Sequence, residues 1–541
     1  MKRINSLITG FLGLALLLFS ACSKKLDVKP QSQINDQQIK DLLATGDTAK
    51  QRLILGGMAN SLPLLFNKAG ITNMGVADIA HYTNQSIGIM HDLEGNDMVL
   101  GEVPITDVLA GATEYNLINI PGATNETVST PYWFYAWELI TKANQLLDFL
   151  TDDIVAGSPL MKEYKARAEV VRAYAYNYLM ENYQDAYTKG GNTKQGMPLY
   201  TTYNPFQEFK ARSSAEETYS LIKSDINDAV QLLQAAGIGY TSNPSDIDMG
   251  VVNFIRARIA LVTGDYPTVI SAADDILSHY PNLLAEGNYG GKNSGTPGSP
   301  EYLATKNGFL NNSVNPEVIL GFSMGVAVNY INNLMNVFGE GYGGVNQAYK
   351  RIDDRLYNKI ADDDFRKNAY QGATAYGNFA YPSNSYAITR TLPSYINFKY
   401  AASKGLDGDP VKANSSDTYY MRAAEVLLMK AEAQASGANP ADALPTLDKL
   451  LAARTRSGGT TLTTASYPAM AGMTPMEMVQ FQTRVELWGE GREFYNNKRW
   501  GIPVDRTGST DHINQGKLSV ADMTIDIPND EMNHNPLMTQ N

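Results

Sequence analysis

The chain has 541 residues and a formal net charge of -12, from 44 lysines and arginines against 56 aspartates and glutamates. An acidic surface without basic runs repels phosphate backbones and argues against a nucleic-acid partner. One cysteine rules out a disulfide framework, and five histidines beside 32 tyrosines and 45 glycines suit recognition of polar ligands better than histidine catalysis.

Lys2 and Arg3 precede an apolar run, Leu7 to Phe19, that closes on Ser20, Ala21 and Cys22. The run is too short for the ~20 residues of a membrane span, so residues 1–21 read as a lipoprotein signal peptide and Cys22 as the lipidation site. Two or three acyl chains on Cys22 would hold the protein firmly to a membrane. Residues 22–40 then form a flexible tether, and 22–541 a single helical domain.

The next predicted elements are helices. Tyr164, Ala168, Val171, Ala175 and Tyr178 follow 4-3-4-3 spacing and form one apolar stripe, with Arg167, Glu169 and Arg172 largely off it. Ser214 and Glu217 make a capping box that opens a helix buried through Ile222, Ile226, Ala229 and Leu233. A third helix runs from Asn253 to Val262 and stops at Gly264, and Pro267 opens a fourth that reaches about Ser278.

A related pair returns late. Tyr420, Ala424, Leu427, Leu428, Ala431 and Ala435 predict a helix stopped by Gly437, after which Asn439 caps and Pro440 opens the next, through Leu451. Ala260, Gly264, Pro267 and Leu277 superpose on Ala433, Gly437, Pro440 and Leu450, the ingredients of a tetratricopeptide hairpin. A last long helix starts at Thr474 and Pro475, with Met478, Phe481, Val485 and Trp488 on one face. Along it Glu486, Glu490 and Glu493 alternate with Arg484, Arg492 and Arg499, which predicts mutual neutralisation in a packed helix rather than a catalytic carboxylate pair. The fold class expected is mostly α. Interrupted tetratricopeptide-like helix pairs form the scaffold, with long irregular insertions at 282–347 and 370–415 that carry little β structure.

Five blocks occur in order: Lys165 to Leu179, Ala257 to Asp265, Tyr420 to Ala433, Val485 to Arg492 with Arg499 and Trp500, and Ile527 to Pro536. Together with Cys22 they resemble the SusD/RagB family of outer-membrane nutrient-binding lipoproteins of the Bacteroidetes. The resemblance spans almost the whole chain after Cys22. It departs at Thr483 and Arg484, where the family usually has a basic pair, and at Ser23-Lys-Lys-Leu-Asp27, where exported members often carry acids. It implies a non-catalytic surface protein that captures oligosaccharide, or in some members peptide, and passes it to a SusC-like TonB-dependent outer-membrane transporter. A surface glycoside hydrolase on a helical scaffold is the alternative of a different class; it needs two carboxyls ~5 to 9.5 Å apart in a cleft.

Sugars have apolar C–H faces and a rim of hydroxyls, so a capture site needs flat rings and amides on loops held by a rigid scaffold. All four tryptophans, Trp133, Trp137, Trp488 and Trp500, fall in helical blocks and read as buttresses. Tyrosines must then supply the platforms. Tyr82 and Asn84 lie before a glycine, and Tyr289 and Tyr342 lie in the 282–347 insertion; these four are the candidate ligand contacts, with Tyr376 and Tyr381 in reserve. His81, His91, Asp92 and Glu94 lack zinc or calcium spacing, and Asp246, Asp248 and Gly250 lack the later bidentate acid, so neither a metal nor a cofactor is expected.

Overall fold

The computed structural model describes residues 36–67, 84–100, 129–204, 206, 208–299, 302, 304–323, 334–339, 343–344, 347–381, 388–401, 416–513 and 515–541. Cys22 and the signal segment lie outside them, as do Tyr82 and Tyr342.

Helices dominate these residues. After α1 (Asp36–Ala44), α2 (Thr48–Ser61) and α3 (Asn84–Leu93) come α4 (Ser129–Leu147), α5 (Pro159–Tyr183), α6 (Ala215–Ala236), α7 (Met249–Thr263) and α8 (Tyr266–His279). The late set is α9 (Ala423–Ala435), α10 (Ala443–Arg454), α11 (Pro475–Glu486) and α12 (Glu493–Trp500). Neighbours in this order pack on one another from α4 to α8, and α8 packs directly on α9, which packs on α10 and α11. The two hairpins that share a sequence pattern are therefore adjacent, although about 140 residues of chain separate them.

Local chemistry sets the boundaries. Ser158 caps α5 by accepting from Met161 N–H at 3.3 Å, with Pro159 at the first position. Ser214 and Glu217 form the expected capping box on α6. Asp248 accepts from Gly250 and Val251 N–H at the start of α7, and Asp246 pairs with Arg167 at 2.6 Å. The two acids that partly mimic a calcium loop are thus a helix cap and an ion-pair partner. Gly264 ends α7 in the left-handed region, with φ 76°.

The helix α5 differs from its predicted amphipathic form because it is covered on every side. Arg167, Glu169 and Arg172 are buried along with the apolar stripe. Arg172 grips Asp225 of α6 through two bonds of 2.8 Å and donates to Asn144 of α4 at 2.9 Å, so a guanidinium off the stripe ties three helices together.

Two boundaries depart from expectation. Beside the short antiparallel pair β1 (Met98–Leu100) and β3 (Lys350–Ile352), Thr418–Arg422 is a strand, β6, antiparallel to β2 (Val318–Phe322), so Tyr420 precedes α9 instead of opening it. The last long helix is two: after Glu486 the chain turns through Gly489 and Gly491, both left-handed (φ 75° and 71°), before α12 begins. Asp92 holds that turn by accepting from Gly491 N–H at 2.8 Å and Glu493 N–H at 3.1 Å. Burial pushes the Asp92 carboxyl up to about 7.

The described parts of the insertions contain little strand, as expected, but they are packed. Tyr376–Tyr381 and Ile388–Leu392 pair as an antiparallel hairpin, β4 and β5, where an irregular loop was predicted. Tyr302, Phe338, Tyr349, Phe379 and Phe398 form a second apolar core under it, with Phe338 and Phe398 stacked at 5.7 Å. Among the described residues no helix is long and apolar enough to cross a membrane.

A Cβ on Gly491 would stand 2.5 Å from Gly88 Cα, whereas one on Gly508, also left-handed at φ 83°, meets nothing within 4 Å. Gly508→Ala should therefore cost only the backbone strain, about 1–2 kcal/mol, while Gly491→Ala adds overpacking of about 1–3 kcal/mol. Urea midpoints of the two variants check this, and equal losses would contradict it.

Candidate functional site

The acidic residues of the late block are enclosed in an ion network. Glu486 is fully buried and takes Arg454 at 2.8 and 3.0 Å, Arg422 at 2.8 Å and Arg366 at 3.1 Å. Glu317 accepts from Arg422 at 2.8 Å and Arg454 at 2.7 Å; Glu490 accepts from Arg422 at 2.7 Å and Lys399 at 2.8 Å; Asp364 clasps Arg366 at 2.6 Å. Four carboxylates thus meet four cations. Burial alone would raise the Glu486 carboxyl, but Arg454, Arg422 and Arg366 hold it well below the usual range. All four carboxylates are committed to guanidinium or ammonium groups, and Glu486, held low, is unsuited to the general-acid role of a glycosidase. Nearby, Glu493 accepts from the Asn96 and Asp97 N–H groups and Arg484 is paired with Asp97. The alternation expected within one helix resolves into partners from distant parts of the chain.

Of the four predicted contacts, Asn84 and Tyr289 are among the described residues, and they occupy different environments. Asn84 opens α3, where its side-chain amide donates to the Tyr174 hydroxyl at 2.8 Å. It lines an internal cavity of about 80 Å³ shared with Tyr400, Tyr419, Tyr495, Arg258 and Glu425. Ligand pockets run to roughly 300–1,000 Å³, so this space does not admit a sugar chain.

Tyr289 is a correction. It is 1% exposed, edge-on to Phe309 at 5.0 Å and Phe365 at 5.2 Å, with the Arg454 guanidinium 5.1 Å from its ring centre. Desolvation of the ion network requires an apolar cover, and Tyr289 is part of it. The reserve pair is likewise no open platform at Tyr376, whose ring packs on Phe398 at 5.3 Å.

Of the possible ligand groups for a metal, His81 lies outside the described residues. His91 is buried 3.0 Å from Glu94 and stacked on Phe494 at 4.9 Å, and Asp92 is used by the glycine turn. Among the described residues no group of three or more His, Cys, Asp or Glu side chains is placed to hold a metal ion.

Among the described residues the most exposed rings lie between α5 and α6. Tyr200, Tyr203, Phe206 and Phe209 recur at every third position; Tyr203 is 40% exposed, Phe206 91% and Phe209 53%. Tyr200 anchors the loop. Its ring meets Trp137 edge-on at 5.5 Å, its hydroxyl accepts from Lys210 N–H at 3.0 Å, and its carbonyl accepts from Asn144 at 2.9 Å. Asn204 turns the tip by accepting from Phe206 N–H at 2.9 Å. Large rings facing water from a pinned loop are the geometry sought for carbohydrate C–H faces. The three-residue recurrence was the signal in the sequence.

A family described as the SusD family matches residues 281–541, and a second family, described as starch-binding and associating with the outer membrane, matches 83–243. The chain belongs to the SusD/RagB family. Solved structures agree along its length. A SusD-like carbohydrate binding protein from Bacteroides vulgatus is 19% identical, with 93% of this chain and 97% of that one covered and a TM-score of 0.65. A SusD superfamily protein from Bacteroides thetaiotaomicron is 18% identical over 90% and 98%, TM-score 0.65, and surface glycan-binding protein A from Bacteroides fluxus is 17% identical over 94% and 99%, TM-score 0.61. At these identities the likeness is one of fold. Among curated proteins none matches this sequence.

The Tyr289 hydroxyl has no hydrogen-bond partner. Tyr289→Phe should leave stability within about 0.5 kcal/mol, and Tyr289→Ala should cost about 3–5 kcal/mol by opening a cavity over the ion network. Thermal unfolding distinguishes the two, and a tolerated alanine would mean the ring is not part of the core.

Proposed function

We propose that residues 22–541 act as a non-catalytic capture protein, anchored to the outer membrane through a lipid on Cys22 after removal of residues 1–21. It faces the cell surface, binds oligosaccharide and passes it to a SusC-like TonB-dependent transporter. Supporting this are the family membership, a second matched family described as associating with the outer membrane, and fold neighbours described as carbohydrate- or glycan-binding. The observation that carries the reading within this chain is the pinned loop with Tyr203 and Phe206 turned to solvent on a helical frame. Tyr82 and Tyr342 are further proposed ring contacts.

The Tyr203 and Phe206 rings are exposed, unlike the buried rings around the ion network. Tyr203→Ala and Phe206→Ala should each weaken glycan binding about fivefold, the equivalent of about 1 kcal/mol of ring contact, with an unchanged melting temperature. A screen of the soluble form lacking the lipid against glycan and peptide panels, with a reducing-end assay run alongside, tests the whole reading. Glycan binding without new reducing ends is expected. Turnover would establish the hydrolase alternative, and binding of peptides alone would move the protein to the peptide-capturing branch.

A further inference from the structure

The same stretch of chain that bears the rings runs on into a polar groove. Its walls come from the end of α5, the segment 193–195, residues 212–214 at the start of α6, and the chain beyond residue 521, and it encloses about 860 Å³. Gln184, Thr193, Lys194, Ser213 and Gln540 line it with amides, hydroxyls and one ammonium, and Ala521 is its single apolar side chain. That size admits an oligosaccharide, and that lining suits a rim of hydroxyls. A peptide would bring side chains for which the groove has no apolar pocket.

Arg212 is the unusual member. It is 8% exposed, and its guanidinium donates to Gly196 O at 2.7 Å, Gln195 O and Thr539 O at 3.3 Å, and the Asn541 side-chain oxygen at 2.8 Å. Those neutral acceptors use four of its five N–H groups and leave one on Nη2. The buried arginines 167, 172, 258, 366, 422 and 454 each face a carboxylate. Among the described residues none is paired with Arg212. Burial pushes its guanidinium down to about 10, the mark of a cation whose lost hydration is not compensated by an anion. Lys194, by contrast, is taken by Asp185, which also accepts from Thr524 at 2.5 Å. Asp185 and Asp526 lie on the wall as well, which disfavours a polyanion and leaves room for one negative group at Arg212.

We infer that this groove holds a uronic-acid sugar of a captured oligosaccharide, with Arg212 receiving its carboxylate and the amides and hydroxyls receiving the rest of the ring. The assignment rests on the capture reading and narrows it to glycans that carry an acidic residue among neutral ones. A carboxylate completes the unfilled side of the guanidinium with a charge-assisted bond, a neutral sugar only a weaker one.

The test compares a xylo-oligosaccharide bearing one glucuronate with the same compound after reduction of its carboxyl, by calorimetry at low salt. The native protein should prefer the acid form by about tenfold or more, the range of a hydrogen bond to a charged group. Arg212→Gln should erase that preference. Thr193→Glu, which sets a competing carboxylate on the exposed wall and leaves Arg212 and its bonds in place, should erase it too, so the result does not depend on Arg212→Gln folding. Equal affinity for the two forms in a protein that still binds neutral glycans would overturn the groove assignment and leave the capture reading intact. Failure to bind any glycan would overturn both, and displacement of the acid sugar by an acidic peptide of higher affinity would replace the sugar by a peptide carboxylate.

Discussion

Glu486 is the point at which the parts of this chain are held to one another. Its two carboxylate oxygens receive guanidinium groups from Arg366 between the two insertions, Arg422 at the end of β6 and Arg454 at the end of α10, while Glu317 bridges Arg422 and Arg454 and Glu490 meets Arg422 from the other side. Charges at full burial are costly unless every one is met, so the network is stable only when α10, α11, β6 and the insertion are all in place. Lys399 completes it by donating to the Glu486 and Trp488 carbonyls at 3.1 and 2.8 Å, which fixes the start of the glycine turn.

That requirement explains where the aromatic residues went. Tyr289, Phe309 and Phe365 shield the guanidinium groups of the network, and Tyr400 reaches the Gly489 carbonyl at 3.0 Å. These four rings are thereby spent on the frame. Among the described residues the most exposed rings sit on the α5–α6 loop, whose base is pinned by α4 and α5, so the frame supplies rigidity and the loop supplies contact. Binding energy then goes into the ligand and not into ordering the site.

Much of the frame was legible in the sequence because its signals are local. Ser214 with Glu217, Gly264 before Pro267, and the small residues Ala260 and Ala433 act within a turn or two of themselves, and the helices they bound stand as expected. The strand at Tyr420 was not legible, since a partner strand a hundred residues earlier overrides an apolar stripe that also fits a helix. Nor was the break at Gly489 and Gly491, which is stabilised by Asp92 and by close approach to Gly88. For the site, Tyr289 between Asn288 and Gly290 and Tyr203 between Thr202 and Asn204 both read as loop rings; Arg454 and the rings packed around Tyr289 decide that one is core. The unpaired state of Arg212 is invisible in sequence for the same reason, because it depends on which carboxylates arrive from elsewhere.

The claim on which all this depends is that the buried charges hold the frame together, and urea unfolding of Glu486→Gln across pH measures it most directly. Because the Glu486 carboxyl is held low in the folded protein, its contribution is present above the unfolded value of about 4.3 and fades as pH falls through the folded one. At neutral pH the variant should lose about 3–5 kcal/mol, and the gap from the native protein should close as the solution is acidified below pH ~4. An unchanged urea midpoint at neutral pH, or a loss that stays constant on acidification, would contradict the account.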